Sequence, residues 1–555
     1  MSAAGRAIAA PRVTTEVSLL LDVGSAWTKG IVVGRSVGRW RIAAHAAQPS
    51  SWDEGDLIQT LAARLAGAAD QRLTDRLVAI LSDAPRIACH TPARPGRIAL
   101  AAVSADLSGR AAQRAAESAG WVVVESATLD DGRSAAERLA ALQSVEVDAW
   151  LLAGGFDDET GEAALEMAGL VAAARGGGQT PVLWAGSPLL TERVVSLFEA
   201  RLTRALPNPR PSAERENPLP LRRYLEALLE RLVEPGGRRQ LAPVGFSRAV
   251  MQLARGGGRR ISAIDLGARY ATWVRADATG HSESRVLASG GLTSPTLTVP
   301  GSPARIAHSI DVPVDDLAVA DALQNLRVRP GALPQTEEEL AIVHGAARTL
   351  LEQLVGDESA FDSVDLLIGA GRTIAAAPTP AHAMGILLDG ARPLGVTQLA
   401  IDPSGALGPL GALEDQEIAE GVGMLRDDLL APLGSAVVCR GGRSGHSAFR
   451  VTVHRAGWPS IGPIEVRGGQ LQLVPLGRGQ VAELEIELEP GIGIGGARRA
   501  RRSRANVLGG AVGLVLDARD VPLLLPRRTD DRRTILAAWR DALQHEPHVG
   551  AGEAP

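Results

Sequence analysis

Asp22-Val23-Gly24-Ser25-Ala26-Trp27-Thr28-Lys29, entered through the apolar run Val17 to Leu21, is the stretch on which the fold turns. The run reads as a buried strand, and the aspartate as its end before a glycine-permitted turn. Lys29 to Val33 and Trp40 to Ala44 read as strands returning from that turn, a meander that opens a domain. A carboxylate at a strand end, followed by hydroxyl and turn N–H groups, can hold hydrated Mg2+ while donating to phosphate oxygens, and does so without a Walker sequence. A plain Asx turn uses the same residue types in many folds. A second copy separates the two readings. Ile261 to Leu266 is again an apolar strand carrying Asp265-Leu266-Gly267 at its end, with a strand-like stretch, Ala271 to Arg275, behind it. Two carboxylates facing across a cleft, one helping to hold metal and the other orienting a water, are what a two-lobed ATPase needs.

A third piece follows in order. Leu367-Ile368-Gly369-Ala370-Gly371-Arg372-Thr373 reads as a strand and a small-residue turn where backbone can approach an adenosine. The site expected from these pieces has Asp22 and Asp265 in metal–phosphate chemistry, holding Mg2+ directly or through water. Gly24, Ser25, Thr28, Lys29 and Gly267 contact phosphate, and Gly369 and Gly371 flank the adenosine of ATP. Lys29 is the only lysine in the chain, which suits a compact point charge at a phosphate. No Gly-x-x-x-x-Gly-Lys-Ser/Thr occurs, and no Gly-x-Gly-x-x-Gly joined to a ribose-binding acid, so P-loop and Rossmann sites lose support.

Outward from these motifs, 555 residues suffice for several domains. Residues 1–16 read as a disordered lead-in rather than a signal peptide, and 17–206 as a first lobe. Leu77–Leu81, Ile98–Val103, Trp121–Glu125, Ala149–Ala153 and Val182–Ala185 read as short strands alternating with helices, so that residues from about 95 to 190 make an inserted α/β subdomain. Five prolines in 207–220 mark a surface linker; 221–433 is the second lobe, 434–545 a β-rich C-terminal domain with a closing helix, and 546–555 a tail.

Net charge is −5 with acids and bases interspersed, so neither nucleic acid nor a membrane surface is expected as a partner. No run of about 18 apolar residues is present. Cys89 and Cys439, far apart and without CxxC spacing, exclude a zinc ribbon or a cysteine-held cluster and suit a reducing cytoplasm. The ten histidines contain no His-x-x-x-His pair and no Asp-x-His-x-x-Gly, so a directly bound cobalamin is not expected. His382 reads as a capping or core histidine, and Arg498–Arg504 as a solvated loop rather than a docking patch.

Asp22 to Lys29 also resembles the opening motif of the glutamate mutase L family, of the actin/Hsp70/sugar-kinase-like ATPase superfamily. Leu152-Ala153-Gly154-Gly155, Ile264 to Gly267, and Gly369 through Pro380 and Met384 to Thr397 resemble it in the same order. The resemblance implies a two-lobed actin-like ATPase (ribonuclease H-like) α/β fold, with the inserted subdomain and the C-terminal β-rich domain. It further implies an ATP- and Mg2+-dependent accessory or reactivating protein whose partners are subunits of a cobalamin-dependent mutase and which works by nucleotide-dependent lobe closure. A small-molecule kinase of the same fold and a non-hydrolysing nucleotide-binding scaffold are the alternatives. Two departures favour the scaffold. Arg269 and Tyr270 stand where relatives tend to have small hydroxyl residues, and Cys89-His90-Thr91-Pro92 where they tend to have a Ser- and Gly-rich turn. Oligomeric state has no signature in the sequence.

Overall fold

The computed structural model describes residues 17–36, 39–67, 71–233, 240–359, 363–495, 501–521, 523 and 525–544. The expected lead-in, the tail and residues 498–500 of the basic cluster lie outside them. Two compact units divide the chain. Unit 1 runs to Thr91, resumes at Gly245–Ser284, and continues from Gly290; unit 2 is Pro92–Val244 with Arg285–Ser289.

Unit 1 opens with β1 (Val17–Val23), β2 (Trp27–Ser36) and β3 (Arg39–Pro49), an antiparallel meander, and β4 (Arg86–His90) pairs parallel to β1 on its free side. Alternation along β1 sends Leu19 and Leu21 to one face, where helix Glu54–Ala66 supplies Leu57 and Leu61. Leu20 goes to the other, against Phe246, Leu407 and Leu410. The sheet is thus buried on both sides. Leu77–Leu81, expected as a strand, lies in the helix Gln71–Asp83: Leu77, Val78 and Leu81 recur at helical spacing and pack on the Leu57 face. The strand is β4 instead, which takes in Cys89 and His90.

Unit 2 holds β5 (Gly96–Ala102), β6 (Trp121–Thr128), β7 (Ala149–Ala153), β8 (Val182–Trp184) and β9 (Thr203–Ala205), all parallel in the order β6-β5-β7-β8-β9. A parallel sheet needs cover on both faces. Ala112, Ala116, Leu221 and Leu225 lie on one and Leu142, Met167 and Val171 on the other. Residues 207–220, read as a linker, fall inside this unit. Asn208 Nδ2 donates to the Gly155 carbonyl at 2.9 Å and Asp157 N to that of Pro211 at 3.0 Å. The helix Leu219–Val233 and the two-residue strand β10 (Gln240–Leu241) follow.

The chain then continues through β11 (Ile261–Leu266), β12 (Ala271–Ala276), β13 (Ser282–Leu287), β14 (Leu366–Ala370), β15 (Gly395–Ile401), β16 (Ala431–Val438), β17 (Ser447–Arg455), β18 (Ile461–Arg467), β19 (Leu471–Val474), β20 (Val481–Leu488), β21 (Arg502–Leu508) and β22 (Gly513–Asp517). One sheet has the order β13-β12-β11-β14-β15-β16-β22-β19. In it β11 pairs antiparallel with β12 and parallel with β14, which pairs parallel with β15. That is the ribonuclease H-like order 3-2-1-4-5, and β3-β2-β1-β4 repeats its first four places. The chain has the two-lobed actin-like ATPase fold.

The C-terminal β-rich segment divides. β16, β22 and β19 widen the second sheet, while β17, β18, β20 and β21 form an antiparallel sheet over it, Phe449, Val451 and Ile486 packing against Val437 and Leu516. Arg502 and Arg504, at the end of the basic cluster, are on strand β21 and pair with Glu487 and Glu485.

Candidate functional site

Both Asp-x-Gly loops are hairpin turns of the same construction. In the first, Asp22 pairs across β1–β2 with Lys29, and Gly24 N donates to the Trp27 carbonyl at 3.1 Å. In the second, Asp265 pairs across β11–β12 with Thr272, and Gly267 N donates to that of Tyr270 at 2.9 Å. Each aspartate also faces a parallel neighbour, Cys89 for Asp22 and Ala370 for Asp265. The repeated turn read from the sequence is a repeated backbone.

The side chains converge on Lys29. Its Nζ lies 2.7 Å from Asp22 Oδ2, the lysine side chain 17 % exposed and the aspartate 12 %. Burial alone would lower the Lys29 pKa. Asp22, Asp265 and Asp402 outweigh it and hold the ammonium above its usual range. Asp265 is the carboxylate left over: it accepts no hydrogen bond among the described residues. Burial pushes its pKa up to about 6, Lys29 opposing and Asp22 and Asp402 adding to the rise. Cys89 Sγ sits 3.6 Å from Asp22 Oδ1, and burial with that carboxylate lifts the thiol well above its usual value, so it stays protonated.

Asp402, which the sequence reading missed, is 1 % exposed and fully engaged by its own loop. Oδ1 accepts from Gly405 N at 2.8 Å, Ala406 N at 3.2 Å and Ser404 Oγ at 3.2 Å, and Oδ2 from Leu407 N at 3.0 Å. The turn so formed presents Gly405, at φ +77°, to Lys29; a Cβ there would stand 2.5 Å from the lysine Cδ. Only a glycine lets the lysine arm pass. The signal was present, since Asp402 directly follows the apolar strand β15, and Asp22 and Asp265 are each the next-to-last residue of theirs.

The remaining expected residues have varied places. Thr28 Oγ1 donates to Ser50 Oγ at 3.1 Å, which donates to the Gly24 carbonyl at 2.8 Å, so Thr28 braces the first turn. Ser25 lies in that turn, partly exposed. Gly369 and Gly371 serve internal packing: a Cβ on Gly369 would meet Ile374 at 2.6 Å, and one on Gly371, at φ +83°, the Leu266 carbonyl at 2.1 Å. Next to them Arg372 lays its guanidinium 3.8 Å from the Trp27 ring centroid, joining the third motif to the first. Tyr270, expected to crowd the second loop, is only 5 % exposed and part of the core. His382 lies in the first turn of the helix Pro380–Ala391, where Thr379 is the cap: Thr379 Oγ1 accepts from His382 N at 3.4 Å and lies 2.8 Å from its Nδ1.

Among the described residues no group of three or more His, Cys, Asp and Glu side chains is arranged to hold a metal ion, and no helix is long and apolar enough to cross a membrane. The cluster fits a hydrated ion better than a directly ligated one. Asp402 is spent on its loop and Asp22 on Lys29, while Asp265 keeps its lone pairs free for water.

Residues 18–247 match the family model described as MutL protein. No curated protein matches the chain in sequence. Among solved structures, the chain is similar to a nucleotide-free acetone carboxylase at 11 % identity, covering 81 % of each chain with a TM-score of 0.32. It is similar to the activator of 2-hydroxyisocaproyl-CoA dehydratase from Clostridium difficile with bound ADPNP at 10 % identity, covering 74 % of this chain and 98 % of that one, TM-score 0.26. A carbohydrate kinase from Novosphingobium aromaticivorans shares 12 % identity over 76 % of this chain and 94 % of its own, TM-score 0.26.

Proposed function

We propose, from the match of residues 18–247 to the family model described as MutL protein, that the chain is a member of the glutamate mutase L family and an ATP-binding accessory protein that maintains or reactivates a cobalamin-dependent mutase. The observation that carries the nucleotide half of this reading is the convergence of two matching Asp-x-Gly hairpins and the Asp402 turn on one buried ammonium. A lysine held among carboxylates is a preformed counter-charge. Phosphate oxygens entering the cluster compete with Asp22 for Lys29, and the carboxylate they release becomes available to hydrated metal. Mg2+, when bound, would supply charge neutralisation at the phosphates, and Asp22 and Asp265 are the residues that would hold its waters. Asp265, with a pKa near 6, is mostly ionised at neutral pH and is the group suited to accept a proton from an attacking water. Trp27 belongs to the first lobe and Arg372 to the second, so their stack is a contact that lobe movement makes or breaks.

The test is calorimetric titration of Mg-ATP into the purified chain, into Asp22→Ala and into Asp265→Ala, with phosphate release followed alongside. The expected result is binding by the wild type, loss of binding in Asp22→Ala, and retained binding without release in Asp265→Ala. Absence of Mg-ATP binding by the wild type overturns the nucleotide reading. Binding that does not change the chain's affinity for mutase subunits overturns the accessory role.

A further inference from the structure

A cavity of about 360 Å3 lies in unit 1 among the helices Glu337–Ser359, Pro380–Ala391 and Thr529–Gln544, and shares no residue with the Lys29 cluster. Its floor is ionic. Asp389 accepts from Arg348 Nη1 at 3.0 Å and from Arg519 Nη1 at 2.8 Å, and Arg519, 2 % exposed, also holds Asp517 at 2.7 Å. Well-packed apolar residues would serve stability as well as such a network does, so stability alone does not account for it. At the rim Arg540 Nη1 engages Asp311 at 2.6 Å and Glu337 at 3.4 Å. Every carboxylate that lines the cavity is therefore already taken by a guanidinium.

The donors are not used up. Arg348 spends Nη1 on Asp389 and Nε on the His344 carbonyl, and its Nη2 has no partner among the described residues. His344 is 8 % exposed, and neither ring nitrogen has a hydrogen-bond partner among the described residues. Burial, with the His382 ring 5.3 Å away and Arg348 adding to it, takes its pKa down to about 3, so the ring is neutral and offers one N–H. Leu340, Ile386, Leu536 and Leu543 make the wall apolar. The size is that of a small-molecule pocket, and the unspent groups are those that meet a carboxylate.

We propose that this cavity binds a small molecule carrying one carboxylate on an apolar body, its carboxylate held by Arg348 and His344, at a site separate from the nucleotide cluster. The site gives the chain a second input, a metabolite sensed beside the nucleotide.

The experiment titrates sodium isobutyrate into the full chain, with isobutyramide as the uncharged probe of the same shape. Saturable isobutyrate binding is expected, with isobutyramide weaker by about tenfold or more, the worth of one charge-assisted hydrogen bond. Ala341→Phe fills the cavity without breaking an ion pair and is expected to remove isobutyrate binding while the Mg-ATP titration stays as in wild type. His344→Gln, which keeps a donor of similar reach, is expected to weaken isobutyrate less than His344→Leu does, and this pair decides the matter if Ala341→Phe does not fold. No saturable isobutyrate binding, equal binding of the amide, or binding unaltered by Ala341→Phe or by both His344 variants overturns the proposal. Each of these outcomes is independent of whether Mg-ATP binds.

Discussion

The hairpins at Asp22 and Asp265 share a backbone and differ in electrostatics. Each aspartate ends a buried strand, pairs with the residue seven positions on, and precedes a glycine whose N–H closes the turn. Opposite Asp22 stands Lys29; opposite Asp265 stands Thr272, 2 % exposed and uncharged. One carboxylate is therefore neutralised at contact distance; for the other, burial carries the pKa up to about 6 because the same ammonium, which makes no contact with it, opposes the rise only in part. A duplicated turn has been given two jobs by the identity of one cross-strand neighbour.

The largest effect is expected from removing that neighbour. Lys29→Met leaves Asp22, Asp265 and Asp402 without their cation and should cost about 3–5 kcal/mol in denaturant unfolding at pH 7. The deficit should shrink as pH falls through 6 and Asp265 protonates. A deficit independent of pH would mean that Lys29 acts through packing of its stem against Gly405.

Asp265→Asn should move stability the other way. The folded-state pKa of Asp265, about 6, lies above the ordinary 3.8, so protonation favours the folded chain: this contribution is complete below pH 4 and is lost as pH rises through 6. The variant should match wild type below pH 4 and exceed it by up to about 3 kcal/mol at pH 8. Equal stability at both pH values would show that Lys29 neutralises Asp265 as fully as it does Asp22.

The two turns can also be compared by filling them. A Cβ on Gly24 would stand 2.5 Å from the Trp27 carbonyl oxygen, and one on Gly267 3.1 Å from that of Tyr270. Gly24→Ala should lower stability by about 2 kcal/mol and Gly267→Ala by less than about 1 kcal/mol, read from thermal unfolding. Equal costs would show that the first turn relaxes as easily as the second. Least of all, Arg372→Met removes the cation over Trp27, which has no counterpart at the second turn, and should cost about 0.5–1 kcal/mol.

The sequence carried the two turns because strand periodicity and Asp-x-Gly are local, and it carried the third motif's position for the same reason. It mistook Leu77–Leu81 for a strand, since a five-residue apolar run fits either period, and the helix emerges only when Leu77, Val78 and Leu81 are seen on one face. Gly369 and Gly371 were legible as a small-residue turn, but their close contacts with Ile374 and with the end of β11 were not, because these partners come from packing rather than from the motif itself. The Arg348–Asp389–Arg519 network brings together residues from three distant segments and leaves no local trace.

By itself, then, the sequence determined which residues end strands, where the lone lysine sits, and that the Asp-x-Gly turn occurs twice, because these depend on interactions within a few residues. Tertiary structure alone decided that Lys29 is shared by three carboxylates, that Asp402 completes the cluster by bonding its own loop, and that Asp265 holds its proton more tightly than Asp22's partnership would suggest. Charge interactions act through space rather than along the chain, and only packing sets the distances on which they depend.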